Sequence, residues 1–121
     1  MVYKITFPVI ELIDRLAIAE IKFKRTGANE EELTYYMNQA TQINLTEIYD
    51  LYVNLISIHN QIWDLEAELK TGRESELSLE EIGRRAIEIR DHNNKRIRIK
   101  NAIAERLGCP VREIKQDHLS E

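Results

Sequence analysis

Apolar residues recur every three or four positions along most of the chain, which is the spacing of amphipathic α-helices. The clearest series lies in residues 46–70. Its main apolar row consists of Ile48, Leu51, Leu55, Ile58, Ile62, Leu65 and Leu69. The neighbouring row consists of Tyr49, Tyr52, Ile56, His59, Trp63 and Glu66. Two adjacent rows form a face broad enough to contact two neighbouring helices, so this segment is predicted to be a central helix.

The last predicted helix covers residues 78–107 and has a row that is apolar only at its ends. Ser78 followed by Glu81 has the spacing of a capping box, and Gly108 is suited to end the helix. The row facing a neighbour consists of Ile82, Ala86, Ile89, Asn93, Arg96, Lys100, Ile103 and Leu107. Polar residues therefore occupy the middle of a predicted helix–helix seam.

Two further helices are predicted before the central one. The first covers about residues 8–25 and ends at Gly27, and the second covers about residues 29–42, with Asn29 positioned to cap its amino end. The pattern leaves open whether residues 29–70 form one kinked helix or two.

These elements predict a single all-α domain over residues 1–121. The segments 46–70 and 78–107 are expected to form a long antiparallel hairpin of coiled-coil type, against which the two earlier helices pack. Alternating residues predict a short extended arm at 1–7, and residues 116–121 are expected to be a flexible tail. A lone hairpin would leave much of its broad apolar face in water, which favours a homodimer.

The polar residues in the seam need partners, because an unpaired charge removed from water costs several kcal/mol. Side chains on the facing helices can supply them. The candidate polar cluster consists of Glu11, Asp14, Glu20, Asn60, Trp63, Glu66, Asn93, Arg96 and Lys100. In one interpretation these groups satisfy each other and set the helix register. In the other, Arg96 and Lys100 face a cleft and bind a small anion, with Trp63 as a stacking wall.

Two other function classes fit less well. An enzyme acting on a small anionic metabolite would use Arg96 and Lys100 to stabilise charge and Glu20 or Glu66 as acid or base. Nucleic-acid binding would rely on the exposed bases of the last helix, which are Arg84, Arg90, Lys95 and Arg98. These bases scatter around the helix axis without interleaved aromatic residues, so this class is the least favoured.

Charge and composition narrow the picture further. The net charge of the chain is −4, but it is unevenly distributed: residues 28–70 have a net charge of −7 and residues 84–100 have a net charge of +5. Opposite charges on successive helices favour their packing together. One cysteine and three scattered histidines predict neither a disulfide framework nor a metal site, and no cofactor is indicated. Without a secretory leader or an apolar stretch of about 20 residues, we expect a cytoplasmic protein that does not enter membranes.

Several segments in order resemble a family of small bacterial all-helical proteins classed as a domain of unknown function. The segments are Glu11–Asp14 with Ala19–Lys22, Asn60–Glu66, Asn93–Arg96 with Lys100, and Glu113–Lys115. The chain departs from the family pattern at Asn94, where aspartate is usual, and at Ala104, where asparagine is usual. The resemblance implies a shared helical fold and no particular activity, and its signature positions coincide with the candidate polar cluster.

Overall fold

The structure, a computed structural model, describes residues 7–70 and 74–113, and it is all-α over these residues. The four helices are α1 (Val9–Thr26), α2 (Glu30–Gln39), α3 (Tyr49–Lys70) and α4 (Leu79–Arg106). Short 3₁₀ turns occur at Ala40–Gln42, Leu45–Ile48 and Glu74–Glu76. The all-α fold and the long carboxy-terminal helix are confirmed. The predicted tail at 116–121 and residues 1–6 of the predicted arm lie outside the described residues.

The segment 29–70 contains two helices instead of one kinked helix. Ile43 is extended, with φ −93° and ψ 132°, and it ends the helical path of α2 and the following 3₁₀ turn. The side chain of Asn44 then accepts a hydrogen bond from the backbone N–H of Thr46 at 3.2 Å, which starts the next turn. Asparagine at such a position satisfies an amide that the new turn leaves without a backbone partner.

Three of the predicted helix boundaries have the expected chemistry. Gly27 and Gly108 adopt left-handed φ angles of 68° and 70°, a conformation that costs glycine little and ends a helix. The Ser78 hydroxyl accepts a hydrogen bond from the Glu81 backbone N–H at 3.0 Å. These three positions therefore set where α1 ends and where α4 begins and ends.

Asn29 precedes α2 as predicted, but its side chain does not cap the helix. Its amide nitrogen donates to the backbone oxygen of Ala19 and to Oε1 of Glu32, each at 3.0 Å. The residue thus ties the start of α2 to α1, and this tertiary contact replaces the local cap that its position suggested.

The core lies where α1 crosses the α3–α4 hairpin. Ile13 of α1, Leu55 of α3 and Ile103 of α4 are fully buried at this crossing, and Ile48 closes it from the 3₁₀ turn before α3. α3 thus packs against both α1 and α4, as its two apolar rows predicted. None of the described helices is both long and apolar enough to cross a membrane.

The hairpin continues beyond the crossing as a two-helix arm, comprising residues 63–70 of α3 and 79–96 of α4. Among the side chains that the structure describes in this hairpin arm, none is buried. Leu79 is 88% exposed and Ile87 is 52% exposed. The arm therefore carries apolar surface that residues 7–70 and 74–113 leave uncovered.

Truncation of α3 should test the position of the core. Leu55→Ala is expected to lower the free energy of unfolding by about 2–5 kcal/mol, because it leaves a cavity in a closely packed site. Val53→Ala removes an exposed side chain from the same helix and should change stability by no more than about 0.5 kcal/mol. Denaturant unfolding of both variants checks this, and equal losses would contradict the assigned core.

Candidate functional site

Lys100 is the most deeply buried charged residue at the crossing of α1 and α4. Its side chain is 2% exposed, and its Nζ lies 2.9 Å from Oε1 of Glu11, 2.6 Å from Oε2 of Glu113 and 3.7 Å from Oδ2 of Asp14. Burial lowers the pKa of Lys100, but the bonds to Glu113 and Glu11 and the charge of Asp14 outweigh burial, so the pKa is raised. The ammonium is therefore charged, and carboxylates surround it.

Glu113 reaches Lys100 because the segment after α4 is held against that helix. The Asn101 side-chain amide donates to the Glu113 backbone oxygen and accepts from its N–H, both at 2.8 Å. The Cys109 N–H donates to the Ala104 backbone oxygen at 2.8 Å and helps to close the turn. Sequence reasoning omitted Glu113 from the candidate polar cluster, although the last resemblance segment contained it.

Asp14 links all three long helices of the described chain. Its Oδ1 lies 2.6 Å from Nε2 of His59 on α3, and its Oδ2 lies 3.7 Å from Lys100 and 3.8 Å from NH1 of Arg96 on α4. Burial raises the pKa of Asp14. The hydrogen bond to His59 and the charges of His59, Arg96 and Lys100 lower it by more, so the net shift is downward. Asp14 is therefore an ionised, buried carboxylate.

His59 was absent from the candidate polar cluster, because a histidine on an apolar face is usually a packing residue. It is indeed buried and paired. However, a carboxylate that binds one imidazole nitrogen also fixes the orientation of the ring. The signal that could have included it was its place in the same row of α3 as Trp63 and Glu66.

A cleft of about 280 Å³ opens next to the Asp14–His59 pair, between α1, α3 and α4. We call it the Arg96 cleft. Its lining residues are Ile18, Ile21, His59, Ile62, Trp63, Glu66, Asn93 and Arg96. The structure thus brings four residues of the candidate polar cluster to one concave surface. An apolar wall with a few convergent polar groups is the usual composition of a small-molecule site.

Arg96 is the least satisfied cation of the cluster. Its side chain is 24% exposed, and its Nε is buried without a hydrogen-bond partner among the residues that the structure describes. Within the described part of the chain, its ion-pair partner is Asp14 at 3.8 Å, which is too long for a hydrogen bond. The guanidinium therefore retains donors for an additional acceptor in the cleft.

The rim of the cleft is organised by Arg25, near the end of α1. Its guanidinium donates to Oδ1 of Asn60 at 3.0 Å and to Oδ1 of Asp64 at 2.9 Å, and it lies 5.3 Å from the centre of the Trp63 ring. Asn60 is thus used to hold the rim. The cation over the indole restrains Trp63 at the edge of the cleft.

Glu20 lies apart from the other candidates. It borders a different depression, with Met37 and Thr41 among its neighbours. Burial raises the pKa of Tyr52 above its usual range, and the negative charge of the nearby Glu20 carboxylate raises it further. Of the two carboxylates considered as an acid or base, only Glu66 lines the Arg96 cleft.

The four bases considered for nucleic-acid binding are exposed, and two of them pair within α4. Arg84 binds Glu81 and Glu88, and Arg90 binds Asp91. The i to i+3 and i to i+4 pairs of Arg84 stabilise a solvated helix face, and all three pairs reduce its net positive charge. For Lys95 and Arg98, the structure shows a shallow depression shared with Asn54 and Ser57.

Over residues 7–70 and 74–113, no group of three or more histidine, cysteine, aspartate or glutamate side chains is arranged to hold a metal ion. The chain matches no known protein-family profile, curated protein or solved structure. The resemblance to the bacterial family therefore stays a prediction from its sequence motifs.

The pKa of Asp14 predicts how stability depends on pH. Because the pKa of its carboxyl is lower in the folded chain than the usual 3.8, its contribution is complete above that value and is lost as the pH falls through the folded pKa. We expect Asp14→Asn to cost about 3–5 kcal/mol at pH 7, since it leaves buried cations without their partner. This cost should shrink below about pH 4.

Denaturant unfolding of both chains between pH 7 and pH 3 measures this difference. Asp91→Asn is the control, because Asp91 is exposed on α4. A carboxyl carbon NMR titration of Asp14 in the natural chain gives an independent readout, with an expected midpoint below 3.8. A stability difference that does not change with pH, together with an ordinary midpoint, would contradict the assignment.

Proposed function

We propose that this protein is a small helical binding module that holds an anionic group of a small molecule in the Arg96 cleft. The observation that carries the proposal is the incomplete pairing of Arg96. The guanidinium lines an open cleft, its buried Nε has no hydrogen-bond partner among residues 7–70 and 74–113, and its Asp14 contact is 3.8 Å long. Buried polar groups in proteins are usually hydrogen-bonded, so an unpaired donor beside an open cleft supports an acceptor supplied by a ligand.

The remainder of the cluster supports a structural role beside this site. Lys100 has three carboxylates around its ammonium, and Asp14 joins α1 to α3 and α4. In the proposal these contacts set the register of α1 on the hairpin and thereby hold Arg96 at the cleft. Binding sites need such rigid support, because small displacements of a polar group weaken recognition.

Substitution of Arg96 tests the anion site. We expect Arg96→Met to weaken binding of acetate or inorganic phosphate at least tenfold while the fold survives, because methionine keeps the apolar stem and removes the donors. Arg98→Met is the matched control, since Arg98 is exposed on the same helix and does not line the cleft. Amide-shift NMR titrations, with the Trp63 indole N–H as reporter, measure affinity.

Two results would contradict the anion site. One is equal affinity of the Arg96→Met and natural chains. The other is a natural chain that binds neither anion, combined with a loss of stability or a changed oligomeric state in Arg96→Met. The second result would assign Arg96 to helix register alone.

We also propose that the module is a homodimer joined through the hairpin arm. The described side chains of the arm include none that is buried, although Leu79 and Ile87 are large and apolar. Beyond the part that contacts α1, two helices alone bury too little surface to be stable in water, and a second arm related by two-fold symmetry would complete a four-helix bundle.

Sedimentation equilibrium tests the dimer. We expect the natural chain to have the mass of two chains, and Leu79→Lys combined with Ile87→Lys to shift it toward one chain, because charges in an apolar interface cost free energy when they lose water. Val53→Lys changes an exposed apolar residue outside the arm and is the control. A single-chain mass for the natural protein, or equal dissociation by Val53→Lys, would contradict the arm as the interface.

A further inference from the structure

The charged residues that line the Arg96 cleft have opposite signs. Arg96 contributes a cation from α4, and Glu66 contributes a carboxylate from α3. The third titratable lining residue, His59, is already bound to Asp14. We propose that the occupant is a small zwitterion of the amino-acid type, whose carboxylate binds Arg96 and whose ammonium binds Glu66. This inference rests on the anion site proposed above and adds the second pole of the ligand.

The balance of charge favours a zwitterion over a ligand with excess negative charge. A phosphate dianion at Arg96 would be repelled by Asp14, whose Oδ2 lies 3.8 Å from the Arg96 guanidinium, and by Glu66 on the opposite wall. A carboxylate carries one charge and matches the planar fork of one guanidinium. A neutral molecule with separated charges therefore meets attraction at both poles.

The size of the cleft limits the length of the ligand. A volume of about 280 Å³ is just below the usual range of about 300–1,000 Å³ for small-molecule sites, which favours a ligand of amino-acid size. Glu66 can receive an ammonium while it keeps other contacts, because a carboxylate offers about four acceptor positions.

The uncharged lining supplies the rest of the recognition. Asn93 lies three residues before Arg96 on α4, so both side chains project from the same face, and its amide can donate to the second carboxylate oxygen. Ile18, Ile21 and Ile62 form an aliphatic wall. This wall favours a short apolar substituent on the ligand, because its burial removes apolar surface from water.

Three matched series of probes test the inference on the full chain. The zwitterions are glycine, leucine and phenylalanine. Their counterparts without the ammonium are acetate, 4-methylpentanoate and 3-phenylpropanoate, and those without the carboxylate are methylamine, 3-methylbutylamine and 2-phenylethylamine. We expect at least one zwitterion to bind tenfold or more tightly than its own acid, and every amine to bind more weakly than the acid.

Variants then assign each pole. Glu66→Gln should remove the advantage of the zwitterion without weakening the matched acid, because it also removes a repelling charge, whereas Arg96→Met should weaken binding of both. Asp91→Asn, an exposed carboxylate of α4 outside the cleft, should change neither. Circular dichroism and thermal unfolding establish that each variant is folded. Glu66→Asp keeps the negative charge and should preserve part of the tighter binding of the zwitterion relative to its acid.

The outcomes separate this inference from the anion site. If the acids bind through Arg96 but no zwitterion binds more tightly than its matched acid, the zwitterion inference is overturned and the anion site stands. The same conclusion follows if Glu66→Gln leaves the difference in affinity between zwitterion and acid unchanged. If the natural chain binds no acid, no zwitterion and no phosphate, both fail. Tighter binding of phosphate than of every zwitterion would also overturn the inference, since it contradicts the charge balance of the cleft.

Discussion

The buried ammonium of Lys100 is the constraint on which the rest of this structure depends. A cation with a 2% exposed side chain is tolerated only when nearby carboxylates replace its water, and here they come from Glu11 and Asp14 on α1 and from Glu113 after α4. Three separate parts of the chain must therefore meet at one atom. This requirement sets the position of α1 on the hairpin and draws the segment after α4 back against that helix.

The same constraint explains why the polar cluster divides into two parts with different properties. Arg96 lies one helical turn before Lys100, on the side toward the hairpin arm. Asp14 lies between them and His59, and its Oδ2 stays 3.8 Å from the Arg96 guanidinium, beyond hydrogen-bond distance. Lys100 is enclosed and saturated with acceptors, whereas Arg96 faces a cleft. A single polar row thus gives a rigid ionic core and, in the proposed function, a site for an anion.

The hairpin arm, through which the dimer is proposed to form, results from the different lengths of α1 and α4. α4 has 28 residues and α1 has 18, so α1 cannot cover the full length of the hairpin. The Arg96 cleft lies where coverage by α1 ends, with Ile18 and Ile21 from the last turns of α1 among its walls. The proposed ligand site and the proposed dimer surface are therefore neighbours, because both arise from the difference in helix length.

The sequence by itself determined the all-α fold, the helices and most of their ends, because the apolar spacing of α3, the Ser78 cap and the two left-handed glycines act locally. It also placed polar residues in the seam of α4. Only the tertiary structure decided which of them meet. Glu20 borders a different depression. His59 joins the cluster by contacting Asp14, which is 45 residues earlier in the chain, and Glu113 joins it by contacting Lys100, which is 13 residues earlier. Periodicity identifies the face of a helix, but the partner across that face depends on how the helices cross.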